Sequence, residues 1–317
     1  MTIDNPKTPT VALGTWAWGD SGKAGDGYFG SALTRVGLEE VVERAHAAGF
    51  TLWDTAMVYG MGRSETVLGD VLKRYPRGDY QLSTKFTPQA AGSGADPVAD
   101  MLEQSLARLG TGYVDLYWIH NPADVQRWTP HLIALLESGK VKHVGVSNHN
   151  LREIELANRI LGEAGFRVEA VQNHYSLLYR SSENAGILDY CRDQGIPFFA
   201  YMVLEQGALT GKYSLENPLP EGSNRAQTYN GMLSRLKPLT DKLDAIGHKH
   251  GAQAADVAIA WAIAKGATPI VGVTQPRHID GLTRAGTIML SRDDMAELEA
   301  LADGADVNTR GWWEKEM

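Results

Sequence analysis

Val114-Asp115-Leu116-Tyr117-Trp118-Ile119-His120 is an apolar, aromatic run that ends on an imidazole. Behind it, Pro130-His131-Leu132-Ile133-Ala134-Leu135-Leu136-Glu137 carries apolar residues at helical spacing. Gly139 then breaks the pattern, and His143-Val144-Gly145-Val146 is a second β-rich run. Two short apolar runs separated by a helix read as a strand, a crossover and a parallel neighbour, because a tight turn cannot join parallel strands. Working outward, the same unit recurs. Strands are expected at 11–15, 51–54, 81–85, 114–120, 143–146, 170–172, 197–201 and 268–271. Helices are expected between them at 38–48, 65–73, 98–109, 130–137, 151–161, 182–194 and 254–264. Asn150 before Leu151-Arg152-Glu153 is a helix start signal, and Gly49, Gly110, Gly139 and Gly195 stand where helices should stop. Eight strand–helix units with no charge-rich or Pro/Ser-rich linker between halves suit a closed sheet. The expectation is a single domain over 1–317, of α/β class. Its fold is a (β/α)₈ TIM barrel with two extra helices, at about 276–285 and 292–302, and a C-terminal tail ending Gly311-Trp312-Trp313. Residues 202–230, rich in Gly, Pro and Asn, read as a long loop of the kind that carries function.

Composition narrows the partners. The net charge is −8 and the cations are scattered, so no basic stripe invites nucleic acid. The lone Cys191 excludes an internal disulfide and any cysteine-based zinc cluster. Residues 1–10 are polar, and the most continuous apolar stretch, 254–264, holds Asp256 and is too short to span a bilayer. A cytoplasmic protein without a membrane partner is expected; oligomeric state is not legible. Gly25-Asp26-Gly27-Tyr28-Phe29-Gly30 matches the dinucleotide fingerprint G-x-G-x-x-G, but it does not directly follow a strand, as that mechanism requires. We read it as a loop.

In a barrel, chemistry gathers at the carboxyl ends of the strands. Those ends carry Asp54, with Tyr59 just beyond it, Lys85 and His120. Singly, each has an ordinary structural explanation: a cap, a loop anchor, a snorkelling amine, a satisfied core histidine. Together they can satisfy one another, as buried charges must. Reducing a carbonyl needs a proton at oxygen as hydride reaches carbon. A phenol titrates near 10, and a neighbouring ammonium would lower that value. Asp54 would hold Lys85 charged, and His120 would orient the carbonyl oxygen or share in proton delivery.

These residues carry a resemblance. Asp54-Thr55-Ala56-Met57-Val58-Tyr59-Gly60, continuing to Gly62, Ser64 and Glu65, resembles the D-T-A-x-x-Y-G-x-G-x-S-E signature of aldo-keto reductases. Residues 139–148 are similar to G-K-V-R-x-I-G-V-S-N, 172–176 to Q-x-x-Y-[NS], and 206–213 to Q-G-x-L-T-G-K-Y. The resemblance runs in order from about residue 11 to 282. It implies that Tyr59 is the proton donor with Asp54, Lys85 and His120 as partners. It further implies that Ser147, Asn148 and Gln172 bond the nicotinamide carboxamide and that Tyr201 stacks on the ring. Gly14, Thr15 and Trp16 would lie near cofactor and substrate. Met202, Leu204 and Gly207 would serve the pyrophosphate, and Gly272, Thr274 and His278 the nucleotide's far end.

Two departures stand out. Met202-Val203-Leu204 replaces the usual S-P-L, leaving backbone amides for the pyrophosphate, and Gly281-Leu282 replaces the E-N expected to meet adenine. Lys212, Arg225 and either Arg277 or His278 remain as partners for phosphate, and NADP(H) is expected over NAD(H). Trp16, Trp18, Tyr59, His120 and Asn121 are the candidate contacts to a small carbonyl substrate, and no metal is expected. Three rivals stay open: a nicotinamide-nucleotide-sensing subunit on the same barrel, a Rossmann dehydrogenase built on 25–30, and a Schiff-base aldolase using Lys85.

Overall fold

The computed structural model describes residues 11–19, 26–30, 32–315 and 317. Residues 1–10 and Gly25, on which the leader and fingerprint readings partly rest, lie outside them. Eight parallel strands close into a barrel in sequence order. They are β1 (Ala12–Gly14), β2 (Leu52–Asp54), β3 (Gln81–Phe86), β4 (Val114–Ile119), β5 (Val141–Ser147), β6 (Ala170–His174), β7 (Phe198–Tyr201) and β8 (Thr268–Gly272). β8 pairs with β1 to close the ring, Ala12 opposite Ile270 and Gly14 opposite Gly272.

Alternation along each strand sorts the interior into two layers. The lower layer is apolar: Ala12, Leu52, Leu116, Trp118, Ala170, Phe199 and Ile270 form one buried cluster. Trp118 fills its middle, edge-on to Phe199 at 5.4 Å. Gly145 faces this indole; a Cβ there would stand 2.4 Å from the Trp118 ring, so only glycine lets the layer close. Two residues further along the strands, the inward positions turn polar: Asp54, Lys85, Ser147 and Gln172, all buried. The layer change is what builds a site on top of a packed plug.

The helices follow the apolar spacing closely, with differences at a few places, among them a short unexpected helix at Val125–Trp128. The helix expected over 182–194 is two, Ser181–Asn184 and Ile187–Gln194, because Gly186 between them adopts φ 76°. The expected loop 202–230 carries a helix of its own, Asn224–Tyr229, capped by the Ser223 side chain. A 17-residue helix, Leu233–Lys249, was not expected at all. Pro238 inside it argues against a helix on sequence. The burial of Leu236, Leu239, Leu243 and Ile246 against the helices Ala254–Ala264 and Arg292–Ala305 outweighs the lost N–H. Within the fingerprint segment, Asp26–Phe29 form a one-turn helix, and among the described residues no strand lies between the end of β1 at Gly14 and this helix. Among the described residues, no helix is long and apolar enough to cross a membrane.

Candidate active site

The loop after β2 shows why its residues have the types they do. Gly60, Met61 and Gly62 take φ of 61°, 51° and 91°, turning the chain so that Tyr59 comes back over the barrel. Ser64 at the start of the helix Arg63–Leu72 donates to the Thr15 carbonyl at 2.7 Å, tying this turn to the end of β1. Glu65, wholly buried, accepts from Arg108 Nε and Thr84 Oγ1, both at 2.6 Å. Ser64 and Glu65 therefore brace the loop, and Tyr59 is what the loop presents.

Lys85, with no exposed surface, sends its ammonium to Asp54 Oδ1 at 2.5 Å, the Thr55 carbonyl at 2.8 Å and the Tyr59 hydroxyl at 3.3 Å. The other Asp54 oxygen accepts from Ser83 Oγ at 2.5 Å and Gln172 Nε2 at 3.2 Å. Burial opposes the Lys85 charge, but Asp54 and the phenol outweigh it, and the amine titrates above its usual value. A cation so held is a poor nucleophile, which weighs against Schiff-base chemistry.

Burial raises the Tyr59 phenol, and the downward pull of Lys85 only partly offsets this, with Asp54 adding a smaller upward push. The sequence reasoning expected the ammonium to dominate; desolvation dominates instead, so the phenol holds its proton at neutral pH. His120 meets the Tyr59 ring edge-on at 6.1 Å, and its Nδ1 is 2.9 Å from Thr87 Oγ1. Burial, then the Lys85 charge, press the imidazole well below its usual value, so it is neutral. With one nitrogen engaged by Thr87, the other is left for a ligand.

Around this centre, Ser147 ends β5 with Asn148 just beyond it, and Tyr201 ends β7. Asn148, at φ 61°, donates to the His120 carbonyl at 2.9 Å and receives the Tyr201 hydroxyl at 2.5 Å. Further out, the Lys212 ammonium and the Arg225 guanidinium lie 5.0 and 5.4 Å from the same Tyr213 ring. Arg225 Nε is buried without a partner. An unpaired guanidinium N–H beside a second cation fits a phosphate. His278 accepts from the Thr274 amide at 3.2 Å, and burial together with Arg277 and Lys212 depresses it to about 4. Gly272 is exposed beside them at the end of β8, and Met202, Leu204 and Gly207 are partly exposed in the loop after β7.

On the substrate side, Trp16 stacks on Tyr59 at 5.9 Å and meets Tyr28, Phe29 and Trp313 at 5.0, 5.2 and 5.8 Å. Asn121 exchanges amide hydrogen bonds with Gln89 across a pocket that Trp312 and Trp313 also line. Trp18 does not belong here. It is wholly buried, packs on Trp53 at 5.4 Å and donates to the Val273 carbonyl at 2.7 Å, so it cannot reach a substrate. Thr15 is likewise buried, its hydroxyl bonded to the Asp54 carbonyl at 3.2 Å, and supports the site from below. Among the described residues, no group of three or more His, Cys, Asp or Glu is placed to hold a metal.

Sequence reasoning missed Ser83, Thr87 and the tail residue Glu314. The first two had a signal: in Ser83-Thr84-Lys85-Phe86-Thr87, every second side chain from Ser83 is polar, and period two puts them on the face of Lys85. For the tail there was none, since no spacing says where a terminal segment folds back.

Eight strands around a buried Asp–Lys–Tyr cluster define the class, and comparison with known proteins agrees. The sequence profile of the Aldo/keto reductase family matches residues 10–303. The chain is 32% identical to "Probable aldo-keto reductase 1" of Glycine max over 81% of its length and 77% of the relative's. It is 31% identical to a chloroplastic pyridoxal reductase of Arabidopsis thaliana, covering 92% and 82%. Among solved structures, a glycerol dehydrogenase from Gluconobacter oxydans superposes with a TM-score of 0.79 at 24% identity, covering 94% of this chain and 92% of that one. A Klebsiella pneumoniae aldo-keto reductase in complex with NADPH gives 0.70 at 24% identity, covering 93% and 91%. At such identities the two structures speak for the fold. The chain belongs to the aldo/keto reductase family of oxidoreductases.

Proposed function

We propose that the protein reduces an aldehyde or ketone to the alcohol, reversibly, with NADP(H) as hydride carrier, and that Tyr59 gives the proton. The observation that carries this reading is the Lys85 ammonium standing 3.3 Å from a phenol that keeps its proton, with a neutral imidazole edge-on to that phenol. When bound, the reduced nicotinamide supplies hydride to the carbonyl carbon. Tyr59 Oη and the nitrogen of His120 not engaged by Thr87 would both meet the carbonyl oxygen. As negative charge builds on that oxygen, the phenol proton moves to it and the ammonium stabilises the phenolate left behind. Asp54 keeps Lys85 protonated and aimed. Trp16 and Trp313 make the wall a flat, apolar carbonyl compound would lie against, and Asn121 offers an amide at its rim.

On the cofactor side, Ser147, Asn148 and Gln172 carry the hydrogen-bonding groups a carboxamide needs, and Tyr201 the ring. Lys212 and Arg225 favour the extra phosphate of NADP(H), and NADPH is the ligand of the Klebsiella structure. In this reading the whole chain works as one barrel domain, and the lone buried Cys191 suits a reducing, cytoplasmic compartment. Arg225→Ala and Lys212→Ala should each weaken NADPH binding about tenfold and NADH binding far less. Fluorescence titration checks this; equal losses for both nucleotides would remove the phosphate role. The reaction itself is tested by mixing NADPH-loaded protein with a panel of aldehydes. One alcohol is expected per nicotinamide oxidised, whereas tight binding with no carbonyl turned over would leave a nucleotide-sensing subunit.

A further inference from the structure

The C-terminal tail folds back beside the ring of Tyr201. Glu314 is only 8% exposed and accepts from His174 Nδ1 at 3.0 and 3.1 Å. His174, wholly buried, gives its other nitrogen to Glu205 at 2.9 Å. Burial alone would depress this imidazole, but the two carboxylates hold it up, to about 9, so both nitrogens donate. The tail is thus anchored by a buried charge, not laid loosely on the surface.

The same carboxylate reaches the barrel mouth. Tyr201 Oη lies 2.9 Å from Glu314 Oε1 and 2.5 Å from Asn148 Oδ1. The Asn148 amide cannot turn to help: its Nδ2 already faces the His120 carbonyl at 2.9 Å and Ser147 Oγ at 3.2 Å. Trp313 Nε1, at 3.4 Å, donates to the phenol oxygen and brings no second proton to share. A phenol has one proton, and here two acceptors face it at hydrogen-bond distance. If it serves Glu314, Asn148 Oδ1 is short of a donor; if it serves Asn148, the carboxylate keeps only its bonds from His174. An amide N–H arriving at Asn148 Oδ1 would resolve the competition, freeing the Tyr201 proton for the carboxylate, where the bond is charge-assisted and stronger.

We propose that Glu314 is a positioning residue of the nicotinamide platform: it holds Tyr201 by its hydroxyl, and its grip becomes complete when a carboxamide N–H satisfies Asn148. The inference rests on the cofactor placement given above. Because coupling between two events is reciprocal, the docked tail tightens cofactor binding as much as the cofactor tightens the tail.

The test is a double-mutant cycle on the dissociation constant of NADPH, with Glu314→Ala, Tyr201→Phe and the pair. Glu314→Ala is expected to raise the constant about tenfold, and Glu314→Gln, which keeps an acceptor, to recover part of that loss. In the pair, the Glu314 change should add at most about twofold, since its partner hydroxyl is gone. Strictly additive losses would overturn the proposal, because they would mean that Glu314 acts on folding or on His174 alone. Asn148→Ala separates the layers of the argument. If it leaves the constant unchanged, the cofactor placement itself is wrong; if it weakens binding while Glu314→Ala does not, only the positioning role falls. Without any substitution, NADPH should slow tryptic cleavage after the exposed Arg310 in the native protein. Cleavage indifferent to NADPH would contradict the coupling.

Discussion

Tyr59→Phe is expected to lose 10²- to 10⁴-fold in turnover, the range about what a positioned general acid contributes, while its NADPH dissociation constant stays within about twofold of the native value. The hydroxyl is the only atom removed. Its hydrogen-bonding neighbour, Lys85 at 3.3 Å, keeps its ion pair with Asp54 at 2.5 Å and its bond to the Thr55 carbonyl. The ring keeps its stack on Trp16. Nothing that shapes the mouth should move, so the loss belongs to the proton. Single-turnover oxidation of NADPH by an excess of aldehyde separates this step from product release. Native rates in the variant would remove Tyr59 from the reaction.

Lys85→Met should be as damaging to turnover, and unlike Tyr59→Phe it should also destabilise the fold. The amine is wholly buried, and its loss strands a carboxylate that is 3% exposed. Stranding one member of a buried pair costs about 3–5 kcal/mol, a fall in melting temperature on the order of 10 °C. Asp54 would still have Ser83 and Gln172 as donors, which places the expectation at the lower end. The sign with pH is fixed. The deficit comes from a buried negative charge left without its partner, so it is carried only while that charge is present and should grow as pH rises. The phenol loses the one influence that pulls it down and becomes a weaker acid. Calorimetry at pH 5 and pH 8 with matched kinetics checks both halves. A variant with native stability at both values would show that the pair does not carry its charge in the fold.

The barrel was legible because apolar runs of β type are hard to disguise when glycines and helical spacing punctuate them, and each of the eight expected strands has its counterpart. The helix Leu233–Lys249 was not, because Pro238 masks a leucine spacing whose stability comes from neighbouring helices and not from its own sequence. Asp54, Tyr59, Lys85 and His120 could be singled out because ionisable residues are rare at the ends of strands that are otherwise apolar. Trp18 was misplaced for the opposite reason: an aromatic next to a strand end looks the same whether it faces the mouth or the helices, and the Val273 carbonyl that decides the matter is 255 residues away. The balance on the Tyr59 phenol was likewise beyond reach, because desolvation depends on packing that no local pattern records. The Glu205–His174–Glu314 chain joins three segments through buried charges, and only the fold brings them together.

The most direct test of a phenol as the proton source is the pH dependence of single-turnover carbonyl reduction by the NADPH-loaded protein. Tyr59 is held above 10 and His120 well below 6.5, so neither changes charge between those values. Apart from any change near 9, where His174 loses the charge that anchors Glu314, the rate constant should be level across that window and fall tenfold per pH unit only beyond it, as the phenol ionises and the acid is lost. A break inside the window, near pH 7 or 8, would assign the proton to another group and contradict the account.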